Sequence, residues 1–221
     1  MKRYFICLII LSVLFSTTCK KEESETEDPS VVTGTIVGEH RTWTEVGVSF
    51  GAGKPWATKA PIIEEKFNLT LPIPTIDLGS LFGNIPIQLD NINSQAAYAS
   101  FYARKDTDTV SLSLFNSTVL PPSATFVQYL YVDRDLEIKR SIPLTSEQLE
   151  PLLVLLELPI ENIPSLKVTL EIDLKLKKGW NTSLNVLSPS LSGLTLTMKN
   201  GKAPSEARWM AARDTNIPFL K

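Results

Sequence analysis

The chain has 221 residues, of which 43% are apolar and 21% charged, and a formal charge of −2. This composition excludes a disordered chain and suits one ordinary globular domain, or two small ones, with a real core. The near-balance of charge excludes the basic footprint of a nucleic-acid binder.

The amino terminus reads "MKRYFICLIILSVLFSTTCKKEESETEDPS". Lys2 and Arg3 precede an apolar run, Tyr4–Phe15. From Tyr4 to Thr18 there are fifteen residues, whereas a membrane-spanning helix needs about twenty. Residues 1–18 therefore read as an export signal. Removing them takes away Lys2 and Arg3 and no acid, leaving 20 basic against 24 acidic residues, a charge of −4. Only Cys7 and Cys19 are present, and nothing beyond Cys19 is cysteine. A disulfide framework, a thiolate zinc site and a cysteine nucleophile are thereby excluded from the body.

A cysteine at the end of such a run resembles the lipobox of bacterial lipoproteins, with Ser16 and Thr18 standing where that family favours Leu and a small residue. The resemblance implies a diacylated Cys19 thiol, cleavage just before it and a third acyl chain on the new amino terminus. Membrane attachment follows, since each buried methylene contributes about 0.8 kcal/mol and two or three chains hold where one does not. Plain secretion with a free Cys19 thiol is the other reading. Lys20–Asp28 carries five acids and two bases, so residues 19–30 read as an acidic flexible tether. In that family Lys20, rather than Asp, after the cysteine implies the outer membrane. Lys21-Glu22-Glu23 resembles the acidic signal that sends some lipoproteins to the outer face.

From Val31 the dominant period is two, and residues 31–213 read as a single domain with a tail at 214–221. "VVTGTIVG" and "EVGVSFG" are β-rich runs bounded by glycine, and "KFNLTLP" alternates Phe67, Leu69 and Leu71. "AAYASFYARKDTDTVSLSLFN" predicts two strands around a Lys105–Asp108 turn. "TFVQYLYVDRDLEIKRSI" predicts two more, reversing near Asp133-Arg134-Asp135. "LKVTLEIDLKLK" (Leu166–Lys177) alternates for twelve residues without an error, the mark of a strand with one face on a core and one in water. Gly179 then predicts a tight reversal, "NTSLNVL" a returning strand, and Asn200-Gly201 a hairpin. Turn signals every eight to fifteen residues predict an all-β fold, an antiparallel two-layer β-sandwich of about ten strands. The front part, "VTGTIVG" through "VGVSFG" to "FNLTLP", resembles the prealbumin-like pattern of carboxypeptidase-regulatory-type domains, with Glu64-Glu65-Lys66 at that family's Asp-Gly turn. The whole series is similar to small bacterial lipoproteins of undescribed role. Neither resemblance brings catalytic residues.

Two insertions break the pattern, Pro72–Asn93 and Ile142–Pro164. Both are too apolar for disorder and are expected to complete the core, or else to offer an apolar surface to a partner or ligand. The second predicts one short helix, with Thr145-x-x-Gln148 as a capping box.

Chemistry is sparse. The single histidine, His40, reads as a loop residue, and there is no nucleophile elbow, dinucleotide fingerprint or phosphate loop. Gly51-x-Gly53-Lys54 reads as a plain turn. Asp106 with Asp108, and Asp133 with Asp135, read as turn residues before calcium ligands. No metal, no cofactor and no catalytic residue is expected. Of four tryptophans, Trp56 in "GKPWATK" and Trp180 beside a turn stand in loop contexts, where exposed rings stack on sugars. The expectation is a lipid-anchored, non-enzymatic outer-membrane or cell-surface protein with a role in binding, adhesion or envelope structure and a protein or glycan partner at the envelope, with a glycan-binding module using Trp56 and Trp180 as the alternative.

Overall fold

The alternation at Leu166–Lys177 becomes one strand of an all-β fold in the computed structural model, which describes residues 28–51, 53–75, 79–80, 95–145, 148, 167–190 and 193–215. The strands are β1 Val31–Thr35, β2 Glu45–Ser49, β3 Thr58–Pro61, β4 Lys66–Thr70, β5 Gly79–Ser80, β6 Gln95–Tyr98, β7 Ser100–Lys105 and β8 Asp108–Val119. They continue with β9 Pro122–Val132, β10 Leu136–Leu144, β11 Val168–Leu176, β12 Gly179–Ser190, β13 Gly193–Asn200 and β14 Arg208–Ala211. Two short 3-10 turns, Glu39–Thr42 and Ala212–Asp214, complete the described elements.

A two-stranded sheet pairs β1 with β4, and a large mixed sheet runs β10-β11-β13-β12-β9-β8-β7-β2-β3, with β14 beside β8 and β6 beside β9. Among the described residues every strand pair is antiparallel except β11–β13, which is parallel. That exception corrects a detail of the expected antiparallel sandwich. The chain does reverse at Gly179, but β13 comes to lie between β11 and β12. The Asn200-Gly201 hairpin does not form, because the following strand, β14, pairs with β8 instead. The tight hairpin is one step earlier, Ser190 facing Gly193.

Connectivity forces the large sheet to curl. β9 and β10 are four positions apart in the sheet, about 19 Å at ~4.8 Å per strand. Yet the four residue steps from Val132 to Leu136 reach at most about 14 Å. The strands β9-β12-β13-β11-β10 therefore bend round so that β10 returns toward the end of β9. Polar side chains hold this bend. Asp135 accepts the Lys178 N–H at 2.9 Å and the Lys177 ammonium at 2.7 Å. Asn181, buried under the β11–β12 corner, accepts the Lys177 N–H at 2.9 Å and donates to the Lys177 and Gly179 carbonyls at 2.7 and 2.9 Å. The Lys177 hydrogen bond, followed by the Lys178 amide, holds the Asp135 carboxyl below its ordinary pKa. A depressed carboxylate pKa contributes stability at neutral pH that is lost as pH falls through the folded value. Urea midpoints measured from pH 7 down to about pH 3, below the usual Asp value of ~3.9, are expected to fall less steeply for Asp135→Asn than for the parent. Superimposable profiles would remove Asp135 from the acid response.

Two cores lie on opposite faces of the central strand β9. Leu130 and Val132 face a core built with Leu170, Ile172 and Leu174 of β11 and Leu196 of β13. Val127 and Tyr129 face the other, with Val46 and Val48 of β2, Phe67 of β4, Phe101 of β7 and Trp209 of β14. In β11 Val168, Leu170, Ile172, Leu174 and Leu176 are buried and the residues between them are not, as the alternation requires.

The Lys105–Asp108 turn forms as expected, Lys105 pairing with Asp108 and Asp106 taking a φ of 54°. Glu64 and Glu65 form a second two-residue turn with φ of 52° and 67°, closed by reciprocal bonds between Ile63 and Lys66 at 2.8 and 2.9 Å. Two positive φ values define the hairpin turn that favours Asn-Gly, and a non-glycine residue there costs roughly 1–2 kcal/mol. Glu64→Gly is expected to raise stability by about 1 kcal/mol, after the entropy glycine adds to the unfolded chain. A urea midpoint that stays put or falls would contradict it.

The signal at 1–18, Cys19 and most of the tether lie outside the described residues, as do most of the two apolar insertions and the end of the tail. The helix expected in the second insertion lies there too. Its capping box is partly seen, since Gln148 Oε1 accepts the Thr145 N–H at 3.0 Å and the Gln148 N–H bonds the Thr145 carbonyl at 3.1 Å. No helix among the described residues is long and apolar enough to cross a membrane.

Candidate functional site

Strand β2 buries Val46 and Val48 in a core and turns Glu45 and Gly47 to the opposite face. The loop from β2 to β3, fastened by the Ala57 N–H to the Val48 carbonyl at 2.7 Å, lays Trp56 on that face. The seat is Gly47, where any Cβ would stand 1.9 Å from Trp56 Cε3. Across the β2–β7 pair Gly47 faces Tyr102, whose ring lies 6.5 Å from the indole at an interplanar angle of 20°. The Arg104 guanidinium sits 3.9 Å from the Trp56 ring centre, a cation–π distance. Glu45 links Arg104 Nε at 3.1 Å and Lys59 Nζ at 3.0 Å. The Arg104 Nε contact is an ion pair without hydrogen-bond alignment. These charges are partly solvated, so they orient the indole more than they stabilise the domain.

Trp180 is elsewhere. It is only 9% exposed, packs 5.7 Å from Phe50 and 5.6 Å from Tyr131, and donates its indole N–H to the Pro72 carbonyl at 3.2 Å. It belongs to the core lined by Val46 and Val48, on the face of β2 opposite Trp56. The two tryptophans singled out from sequence are not brought together.

The Trp56 face continues into the sheet. Tyr102 faces Ser111 across β7–β8, and Ser113 follows on the same side. Here the sheet forks. β9 pairs with β8 as far as Leu114–Val127 and with β6 from Tyr98–Leu130. At Gln128, between these pairings, a cleft of about 80 Å³ opens, with Tyr98, Ser100, Ser111, Ser113 and Gln128 among its lining. Burial pushes the Tyr98 hydroxyl pKa upward, so it stays a neutral phenol. Beyond the cleft Gln128 faces Ser183 of β12, and Asn185 follows two residues on. Ser183 and Asn185 are fully buried. Gln128 Oε1, Ser183 Oγ and both Asn185 amide atoms have no hydrogen-bond partner.

Sequence reasoning found Trp56 but missed this strip. In "NTSLNVL" the alternation invites Leu184 and Val186 inward and Ser183 and Asn185 outward, whereas the curl buries the polar pair. The one available signal is the repeated small-polar alternation, Ser111 and Ser113 in "VSLSLF" matching Ser183 and Asn185. The turn aspartates act structurally: Asp133 accepts the Gln95 N–H at 3.1 Å and Asp135 holds the corner described above. His40 lies in the first 3-10 turn. No group of three or more His, Cys, Asp or Glu side chains converges among the described residues. No protein-family model, curated protein or solved structure matches the chain.

Proposed function

We propose that the protein is an outer-membrane lipoprotein, anchored through Cys19, whose β-domain binds a partner at the cell envelope without catalysing a reaction. The leader and Cys19 support the anchor. The observation that supports binding is the half-buried Trp56 laid on Gly47 beside Tyr102 and Arg104, since Trp, Tyr and Arg are the side chains that dominate interface energetics. Nine residue steps separate Cys19 from Asp28, where the described chain begins, allowing the domain to stand at most about 30 Å from its lipid. Asp28 then opens the domain by accepting the Ser30 N–H at 2.9 Å.

Radiolabelled palmitate fed to growing cells is expected to enter the protein and to be abolished by Cys19→Ala, with the variant leaving the membrane fraction. Labelling that survives the substitution would defeat the anchor. The glycan reading is favoured over a protein partner by one feature: Trp56 and Tyr102 are nearly parallel, an arrangement suited to the apolar faces of sugar rings.

A further inference from the structure

We propose that the strip from Trp56 to Asn185 is a binding site for an uncharged, hydroxyl-bearing saccharide, whose ring lies against Trp56 and Tyr102 and whose exocyclic hydroxyl arm enters the fork cleft at Gln128. The identity of the ring rests on the glycan reading above; the cleft by itself requires only a hydroxyl.

Three observations carry this. The first is placement. The pairs Gly47–Tyr102 and Tyr102–Ser111 put the indole seat, the tyrosine and the near wall of the cleft on one sheet face, with Gln128 one strand further, about three strand spacings or ~14 Å from the seat. The second is size and charge. A cleft of about 80 Å³ has room for several water-sized groups, which suits a hydroxymethyl arm. None of its lining residues is Asp, Glu, Lys, Arg or His, so a charged arm would lose its hydration with no counter-charge in return. The third is unmet demand. Buried polar atoms are nearly always paired, yet Gln128 Oε1, in the cleft lining, has no partner, nor do Ser183 Oγ and the Asn185 amide on the neighbouring strand β12, behind that lining. The row offers acceptors, Gln128 Oε1 and Asn185 Oδ1, and donors, the Ser183 hydroxyl and the Asn185 NH2, so the fitting guest both donates and accepts hydrogen bonds, as a hydroxyl does. Trp56 supplies apolar contact at the exposed end, and the cleft supplies direction.

Glucose and glucuronate test this, because they share a ring and differ in whether the arm ends in a hydroxyl or a carboxylate. The full chain in detergent, labelled with ¹⁵N at Asn and Gln side chains and at Trp indoles, is titrated with each, and with glycerol as an arm without a ring. Glucose is expected to shift the Gln128 and Asn185 amides and the Trp56 indole saturably, with glucuronate at least tenfold weaker. Gln128→Met, which keeps the shape and removes the acceptor, and Ser111→Ala on the opposite wall are each expected to weaken glucose at least fivefold with unchanged thermal unfolding. Trp56→Ala is expected to abolish the glucose response while glycerol still shifts Gln128. Equal responses to glucose and glucuronate overturn the proposal, as do Gln128 and Asn185 amides that neither glucose nor glycerol moves. A crystal grown with glucose that shows ordered water alone along the row overturns it too. Glycerol binding at Gln128 with no sugar response at Trp56 overturns the saccharide assignment and with it the glycan reading, leaving the lipid-anchored binding role untouched.

Discussion

Replacing Trp209 with alanine is expected to lower the unfolding free energy by about 3–5 kcal/mol, a large part of the ~5–15 kcal/mol that holds an ordinary domain together. Trp209 is 2% exposed on a strand of only four residues. Its ring lies 4.7 Å from Phe101, 5.4 Å from Phe67 and 6.5 Å from Tyr129. It thus joins β4 of the small sheet to β7 and β9 of the large one. The backbone repeats the connection, because the Val37 N–H bonds the Trp209 carbonyl at 2.8 Å and Ile36 bridges Trp209 in parallel. Deleting the ring leaves a cavity where the two sheets meet, and neither sheet can collapse into it without breaking that bridge.

Two companion substitutions separate packing from polarity. The indole N–H has no partner, so Trp209→Phe removes an unpaired donor worth roughly 1–3 kcal/mol of penalty while keeping most of the ring. It is expected to cost far less than alanine. Gly34→Ala approaches from the other side, placing a Cβ 2.1 Å from Trp209 Cδ1, and is expected to cost about 1–3 kcal/mol by overpacking. Urea unfolding followed by tryptophan fluorescence measures all three. A loss below about 1 kcal/mol for Trp209→Ala would mean that the sheets are held together some other way.

Local pattern made part of this fold legible. Leu166–Lys177 alternates without error, so its strand and its buried face followed from period alone. The Lys105–Asp108 turn followed from residue type. Strand order did not follow, because it depends on which edges meet after the sheet curls. Asn200-Gly201 carries a hairpin signal, but burying Trp209 among Phe67, Phe101 and Tyr129 draws β14 to β8, and tertiary packing overrides the local preference. β13 reaches its place between β11 and β12 through a two-residue link, Leu191-Ser192, that contains neither Gly nor Asn.

The candidate site divides the same way. Trp56 was conspicuous as a loop aromatic, while its seat on Gly47 and its neighbour Tyr102 depend on strand register. Trp180 has the same local appearance yet is core, because Phe50 and Tyr131 reach it from β-structure distant in sequence. Ser183 and Asn185 were hidden most completely. Their residue types point to solvent, and only the bend that brings β10 back toward β9 places them inside.

The position of β13 leads to the second large effect, expected at Gly193. Its φ is +153°, and a Cβ there would lie 2.0 Å from the Lys167 carbonyl oxygen. That oxygen cannot step aside, since it accepts the Leu194 N–H at 2.9 Å and starts the parallel pairing of Val168 with Leu194. The clash is with backbone rather than with the end of a side chain, so relief must move a strand. Overpacking at about 1–3 kcal/mol and a disfavoured φ at roughly 1–2 kcal/mol together set an expected loss of about 2–5 kcal/mol for Gly193→Ala. The damage should be local in a way that hydrogen exchange can read. Protection of the Leu194 and Leu196 amides is expected to fall, while the β2–β7 pair at Val46–Ala103 keeps its own. Uniform loss across both regions would mean that the curled half and the Trp209 half unfold as one unit, and unchanged protection at Leu194 would mean that β13 does not depend on this contact. Because β13 also fixes β12, which carries Ser183 and Asn185, the same variant is expected to weaken any ligand held at Gln128 while leaving the Trp56 indole resonance in place.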